Sequence, residues 1–307
     1  MNNRRDFIKK VTLGTVGLSL IPKNIWAGDE YIKLTILHTN DMHSHIEPFI
    51  SGRNKGFGGM AQIATLIKNI RRENDHVLLL DAGDIFQGTP YFNFYGGELE
   101  FKLMSEMGYD ASTIGNHDFD NKLEGLYKQL PHAEFPFLCG NYDFSETILK
   151  GRFKPYKIFR KGKIKIGVFG IGIELDGLVP KSLYGNTKYQ DPVKKSNYYA
   201  NHLRNELECD LIICLSHLGY KYKNRKISDC ILAEQTKNIN IIIGGHTHTF
   251  LNTPIKKRNI EGHKVLVAQV GWAGIKLGKI DSFFDQKSVI KNIFGSSICV
   301  KNEQKMA

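Results

Sequence analysis

Five short apolar runs, rich in β-branched residues, each end in a turn that carries aspartate, asparagine or histidine, and this plan dominates the 307-residue chain. Ile32 to Leu37 leads into His38-Thr39-Asn40-Asp41-Met42-His43, and Val77 to Leu80 leads into Asp81-Ala82-Gly83-Asp84. Ala111 to Ile114 leads into Gly115-Asn116-His117-Asp118-Phe119-Asp120. Leu211 to Leu215 leads into Ser216-His217-Leu218-Gly219, and Ile239 to Ile243 leads into Gly244-Gly245-His246-Thr247-His248. Helical periodicity fills several gaps, at Met60 to Arg71, Leu99 to Met107 and Tyr198 to Glu208. The alternation predicts an α/β architecture. Further strands are expected at Lys163 to Phe169, Val265 to Val270 and Lys276 to Phe284, and a lid or excursion at Glu174 to Pro192. With no internal repeat or long linker, one domain over 28–307 is the economical reading.

Composition excludes several classes. At 41% hydrophobic and 24% charged residues the chain is neither disordered nor fibrous. No apolar run reaches the roughly 18 residues of a bilayer span, so stable membrane insertion is not expected. Five cysteines without close-paired spacing give neither a zinc ribbon nor a disulfide framework, and they read as small core hydrophobes. Residues 1–27 run from basic to mildly apolar to small, the order of an export signal with cleavage after Ala27. Arg4-Arg5 followed by Asp6-Phe7-Ile8-Lys9 resembles a twin-arginine signal, with a generic secretory signal as the alternative. Export to the periplasm in the folded state would suit unpaired cysteines. The leader carries +4 of the net charge of +11, and the remaining +7 suits an anionic substrate without requiring nucleic acid.

Open α/β sheets gather their ligands beyond the carboxyl ends of the strands, where the polar turns would converge. The turns offer Asp41 and Asp84, Asn116, and His43, His217, His246 and His248, all hard or borderline donors to a divalent cation. Seven donors are too many for one tetrahedral ion, whereas a bridging carboxylate would let them serve two. In an extended segment residues two apart point the same way, so Asp41 and His43 can address one ion together, as can His246 and His248. Sequence neighbours point apart, which frees His117 to face the substrate if Asn116 is a ligand.

Asp41-Met42-His43, Gly83-Asp84, Gly115-Asn116-His117-Asp118, His217 and Gly244-Gly245-His246-Thr247-His248 occur in the order and approximate spacing of the calcineurin-like metallophosphoesterases. Leu37 to Asp41, Gly58-Gly59-Met60-Ala61, Asp191-Pro192-Val193 and Leu215 to Gly219 narrow the resemblance to the catalytic domain of bacterial periplasmic 5′-nucleotidases. It covers essentially the whole chain after the leader. The resemblance implies a four-layer αββα sandwich in which two packed sheets are flanked by helices. It implies that Asp41, His43, Asp84 and His248 hold one ion and Asp84, Asn116, His217 and His246 a second, with Asp84 bridging. His117 would contact the phosphoryl group and Asp120 would orient it. Two such ions activate a bridging hydroxide for in-line attack on phosphorus. Four imidazoles favour zinc, manganese or iron over magnesium.

The family's C-terminal domain, which grips the nucleoside, is not expected in a chain that ends at Ala307. Either a separate polypeptide supplies that half, or another phosphoester is the substrate. The leading expectation is an exported phosphomonoesterase of 5′-nucleotidase type. The alternatives are a cyclic-nucleotide phosphodiesterase, a sulfate-releasing relative of thiosulfohydrolase type, or a non-catalytic binding subunit. His38, His45, His76, His132, His202 and His263 read as structural, with His45 and Asp81 as candidate supports of the metal ligands. The basic clusters at Lys221, Lys223, Arg225, Lys226 and at Lys256, Lys257, Arg258 read as solvated faces. Tyr91, Phe92, Phe94 and Tyr95 either wall the cleft or pack the core.

Overall fold

Strands that are apolar on both faces need cover on both sides. The computed structural model describes residues 31–301, so the expected leader lies outside the described residues. In chain order the strands are β1 (Ile32–Thr39), β2 (Val77–Asp81), β3 (Ala111–Ser112), β4 (Tyr142–Asp143), β5 (Tyr156–Lys161), β6 (Ile164–Ile171) and β7 (Lys188–Tyr189). They continue with β8 (Leu211–Ser216), β9 (Ile241–Gly244), β10 (Ile255–Arg258), β11 (Lys264–Ala268), β12 (Lys276–Phe284) and β13 (Ile290–Cys299). One sheet has the order β13-β12-β1-β2-β3, the other β10-β11-β9-β8-β6-β5, and β4 pairs with β7 in a small ribbon. The β1-β2-β3 and β11-β9-β8-β6 cores are parallel; antiparallel strands flank the second core on both sides and the first on its β1 side only.

The period of two sorts each strand between layers. Leu34, Ile36, Leu78, Leu80, Ile166, Val168, Ile213, Leu215, Ile241 and Ile243 meet in the core between the sheets. Val77 and Leu79 turn the other way, onto Ile63, Ile67, Phe101, Met104 and Leu126 of the helices Met60–Glu73, Glu98–Glu106 and Lys122–Gln129. Phe169, Ile212, Cys214, Ile242, Val265 and Val267 pack on Ala200, Leu232 and Ala233 of the helices Pro192–Asn201 and Asp229–Gln235. Helix, sheet, sheet, helix is the expected four-layer sandwich.

Several local expectations shift. The helix expected from Tyr198 begins at Pro192, where Asp191 Oδ1 accepts the backbone N–H groups of Val193 and Lys194 at 2.8 and 2.9 Å. It ends in a π-type turn at His202–Glu206. The Glu174 to Pro192 stretch holds a short helix, Lys181–Tyr184, and β7. Among the described residues no helix is long and apolar enough to cross a membrane. Cys139, Cys209, Cys214 and Cys230 are buried free thiols and Cys299 is exposed.

Candidate metal centre

The polar turns that follow β1, β2, β3, β8 and β9 meet at one rim of the two sheets. They are not extended. Asp41, His43, Asp84, His246 and His248 all adopt left-handed backbone, with φ of 52°, 48°, 56°, 72° and 49°. Each such conformation disfavours a side chain by about 1 kcal/mol or more and persists where the surroundings over-determine it. Close approach between the turns explains two glycines. A Cβ on Gly115 would strike Asp84, and one on Gly245 would strike His217 Nδ1, the Ala82 carbonyl and Asp41.

Two donor groups result. Asp41, His43 and His248 form one and Asp84, His217 and His246 the other, each with ligand atoms within 4.8 Å of one another. His246 and His248, which period-two spacing alone would have paired, thus fall in different groups. Asn116 joins the second group through Oδ1, 2.7 Å from His246 Nδ1. Asp84 Oδ2 lies between the groups, 3.0 Å from His217 Nε2 and 3.9 Å from His43 Nε2. All seven sequence-predicted ligands are therefore together, with Asp84 central.

The donor chemistry fits divalent cations. His43 Nδ1 donates to the Phe86 carbonyl at 3.2 Å and His217 Nδ1 to the Ala82 carbonyl at 2.6 Å, which leaves each Nε2 to face the cluster. His43 Nε2 and His248 Nε2 face each other at 2.9 Å, a placement that suits a shared cation better than two lone pairs. Burial holds the His43 imidazole below its ordinary value, and burial with the neighbouring His217 pushes His246 down to about 4, so both stay neutral, as ligands must. His217 is opposite. Burial opposes its charge, but Asp84 and Asp41 overcome it and raise the imidazole to about 10. In the metal-free chain a proton between His217 and Asp84 stands in for cationic charge. Titrating metal-free protein with Zn²⁺ at pH 7.5 is therefore expected to release about one proton per chain, measured calorimetrically in buffers of different ionisation enthalpy. Proton-neutral binding would contradict the assignment.

His117 and Asp120 sit beside this cluster. His117 Nδ1 donates to Asp120 Oδ2 at 2.7 Å, its ring is 5.2 Å from that of His43, and the side chain is 39% exposed. The Asp120 hydrogen bond raises the His117 imidazole above its ordinary value against partial burial, with help from Asp84. Nε2 is left for a ligand.

Asp118, which the Gly115 to Asp118 motif contains without a ligand role, has a structural task. Its carboxylate accepts the backbone N–H groups of Gly115, Ile85, Phe86 and Asp84 at 2.8, 2.9, 3.1 and 3.1 Å, tying the β2 turn to the β3 turn. Burial and the Asp84 charge raise this carboxyl to about 7, while the Gly115 and Phe86 N–H groups and His217 oppose the rise. Asparagine keeps the shape but only one acceptor oxygen. Asp118→Asn is expected to cost about 3 kcal/mol in denaturant unfolding and to weaken metal retention. Asp81 supports the same turns by accepting from Thr39 Oγ1, Ser112 Oγ and Gly83 N–H at 2.7, 2.9 and 2.9 Å. His45 instead stacks on Phe49 and abuts Trp272, whose ring lies parallel to His248 at 5.6 Å. Of the aromatics after Asp84, Phe92 packs on Phe86, whereas Phe94 and Tyr95 are exposed.

A family model described as calcineurin-like phosphoesterase matches residues 34–250. The snake venom 5′-nucleotidase of Gloydius brevicauda is 37% identical over 294 residues, 88% of this chain and 48% of its own. The 5′-nucleotidase of Vibrio cholerae is 37% identical over 243 residues, 75% of this chain and 43% of its own. The crystal structure of a 5′-nucleotidase precursor from Thermus thermophilus superposes with a TM-score of 0.79 at 31% identity, covering 88% of this chain and 55% of that one. This chain thus spans about half the length of the curated relatives it matches. With the motifs, the sandwich and the paired donor groups in agreement, the chain belongs to the calcineurin-like phosphoesterases.

Proposed function

We propose that residues 28–307 form a dinuclear-metal hydrolase of phosphomonoesters, with 5′-nucleotides as the leading substrates, exported behind the leader at 1–27. The observation that carries this reading is the meeting of two donor groups around Asp84 with the His117–Asp120 pair at their edge. Resemblance to 5′-nucleotidases over 88% of the chain supports the substrate class, and the basic, apolar, small order of the first residues supports export. Asp41, His43, Asp84 and His248 would hold one ion and Asp84, Asn116, His217 and His246 the other, with zinc, manganese or iron suiting the imidazoles. Bound there, the ions would supply Lewis acidity to activate water and neutralise phosphoryl charge.

The remaining work falls to side chains. His117, whose protonated form Asp120 favours, offers Nε2–H to a phosphoryl oxygen or to the departing alkoxide, which leaves as the alcohol. His43 and His246, kept neutral by burial, do not compete for that proton role. The binding-subunit alternative gives His117 and Asp120 nothing to do. Phosphate release from AMP, cyclic AMP and bis-p-nitrophenyl phosphate, with Mn²⁺ or Zn²⁺ and without, tests the reading. AMP should be split and the two diesters spared; release only from the diesters would assign a phosphodiesterase, and no release from any ester a binding role.

A further inference from the structure

The two basic clusters differ sharply once placed. The Lys256–Arg258 cluster lies on β10, where Lys257 pairs with Glu234 at 2.7 Å and Arg258 donates to the Gly262 carbonyl. It is an ordinary solvated edge. Lys221, Lys223, Arg225 and Lys226 instead occupy the loop that leaves β8 immediately after His217. All four are exposed, and none pairs with a carboxylate among the described residues.

This loop is pinned to the metal rim. Tyr220 N–H donates to Thr247 Oγ1 at 2.9 Å, between His246 and His248. Tyr222 Oη donates to the Leu218 carbonyl at 2.7 Å, and the base of the loop closes through Asp229 N–H on the Gly219 carbonyl at 2.8 Å. A Cβ on Gly219 would strike both Tyr222 and Thr247, so glycine at φ 91° lets the loop lie against the histidine turn. Lys226 Nζ rests over the Tyr222 ring, 5.0 Å from its centroid, and its N–H is held by Asn224 Oδ1 at 3.2 Å. Four exposed cations in six residues, on a loop whose base lies against the His246–His248 turn, desolvate little to meet an anion and lose no ion pair in doing so.

We propose that this loop is a second anion subsite, centred on Lys226, that favours phosphoesters whose leaving group carries a further phosphoryl group over those whose leaving group is uncharged. The inference rests on the phosphomonoesterase reading above and deepens it. For a nucleoside diphosphate, water adds to the terminal phosphorus, the bond to the bridging oxygen breaks, and the nucleoside monophosphate and orthophosphate leave with one proton released. The departing phosphate is the group the loop would hold.

The test uses the full chain loaded with Mn²⁺, with phosphate release from ADP and AMP measured for the wild type, Lys226→Ala, and a variant with Lys221, Lys223, Arg225 and Lys226 all replaced by serine. The ratio of kcat/KM for ADP to that for AMP should fall about fivefold in Lys226→Ala and further in the fourfold variant, and the wild-type ratio should fall with added salt. A second readout is calorimetric binding of an ADP analogue with methylene between its phosphorus atoms, against the adenosine phosphonate lacking the terminal group. The wild type should prefer the former, and the fourfold variant should lose that preference. An ADP to AMP ratio and a binding preference that both survive in the fourfold variant would overturn the subsite. If the wild type splits neither nucleotide yet the binding preference depends on the loop, the subsite stands and the hydrolase reading falls.

Discussion

Asp84→Asn is expected to empty both metal positions and to lower turnover by about 10³-fold or more, the scale reached when electrostatic stabilisation of a transition state is removed. Asparagine fits the space and tolerates the left-handed backbone at φ 56°, so the change is one of charge rather than shape. Burial opposes the Asp84 charge, yet His217, His43 and His117 together hold the carboxyl well below its usual range. Its loss leaves His217 without the partner 3.0 Å away. Without that anion His217 is released toward its neutral form in the metal-free chain, and the carboxylate that lies between the two donor groups is lost. Elemental analysis after dialysis checks the outcome. Full retention of two ions by the variant would remove Asp84 from the centre of the site.

His117→Ala should separate chemistry from metal content. The ring belongs to neither donor group, so both ions should remain while turnover falls by about 10²- to 10⁴-fold, the range of a general acid. Asp120→Asn gives the matching pH signature. Asp120 raises the His117 imidazole, so the cation persists to higher pH than it would alone. Activity that needs this cation is present below the raised value and lost as pH rises through it. With Asp120 neutral, the alkaline fall of kcat/KM should therefore begin at lower pH. A profile that does not move would leave Asp120 without influence on the proton, and a loss of metal in His117→Ala would make that residue a ligand.

Much of the site was legible because its chemistry lies just beyond strand ends, where apolar runs give way within four residues to Asp41, Asp84, Asn116, His217 and His246. The strands β2 and β8 were equally plain, since both of their faces are apolar and buried and the run is continuous. What spacing missed follows from geometry that only the assembled turns impose. Period-two spacing groups His246 with His248 on the assumption of extended backbone, but both are left-handed, at φ 72° and 49°, and they fall in different groups. Asp118 gave no signal because its partners are backbone N–H groups, which every sequence has. The edge strand β13 was missed for a related reason: Ile290–Cys299 is half covered and carries no clean alternation. Its place is set by pairing with β12.

The donors divide between the sheets: Asp41, Asp84 and Asn116 follow strands of one, His217, His246 and His248 strands of the other. Yet β1, which delivers the first of them, is flanked by β12 from near the far end of the chain. Neither half can therefore acquire a tight ion early in synthesis, because the last imidazole emerges at position 248 and the neighbour that fixes β1 only after residue 276. A divalent ion at this rim would consequently be captured late in the life of each molecule, once its two sheets have come together.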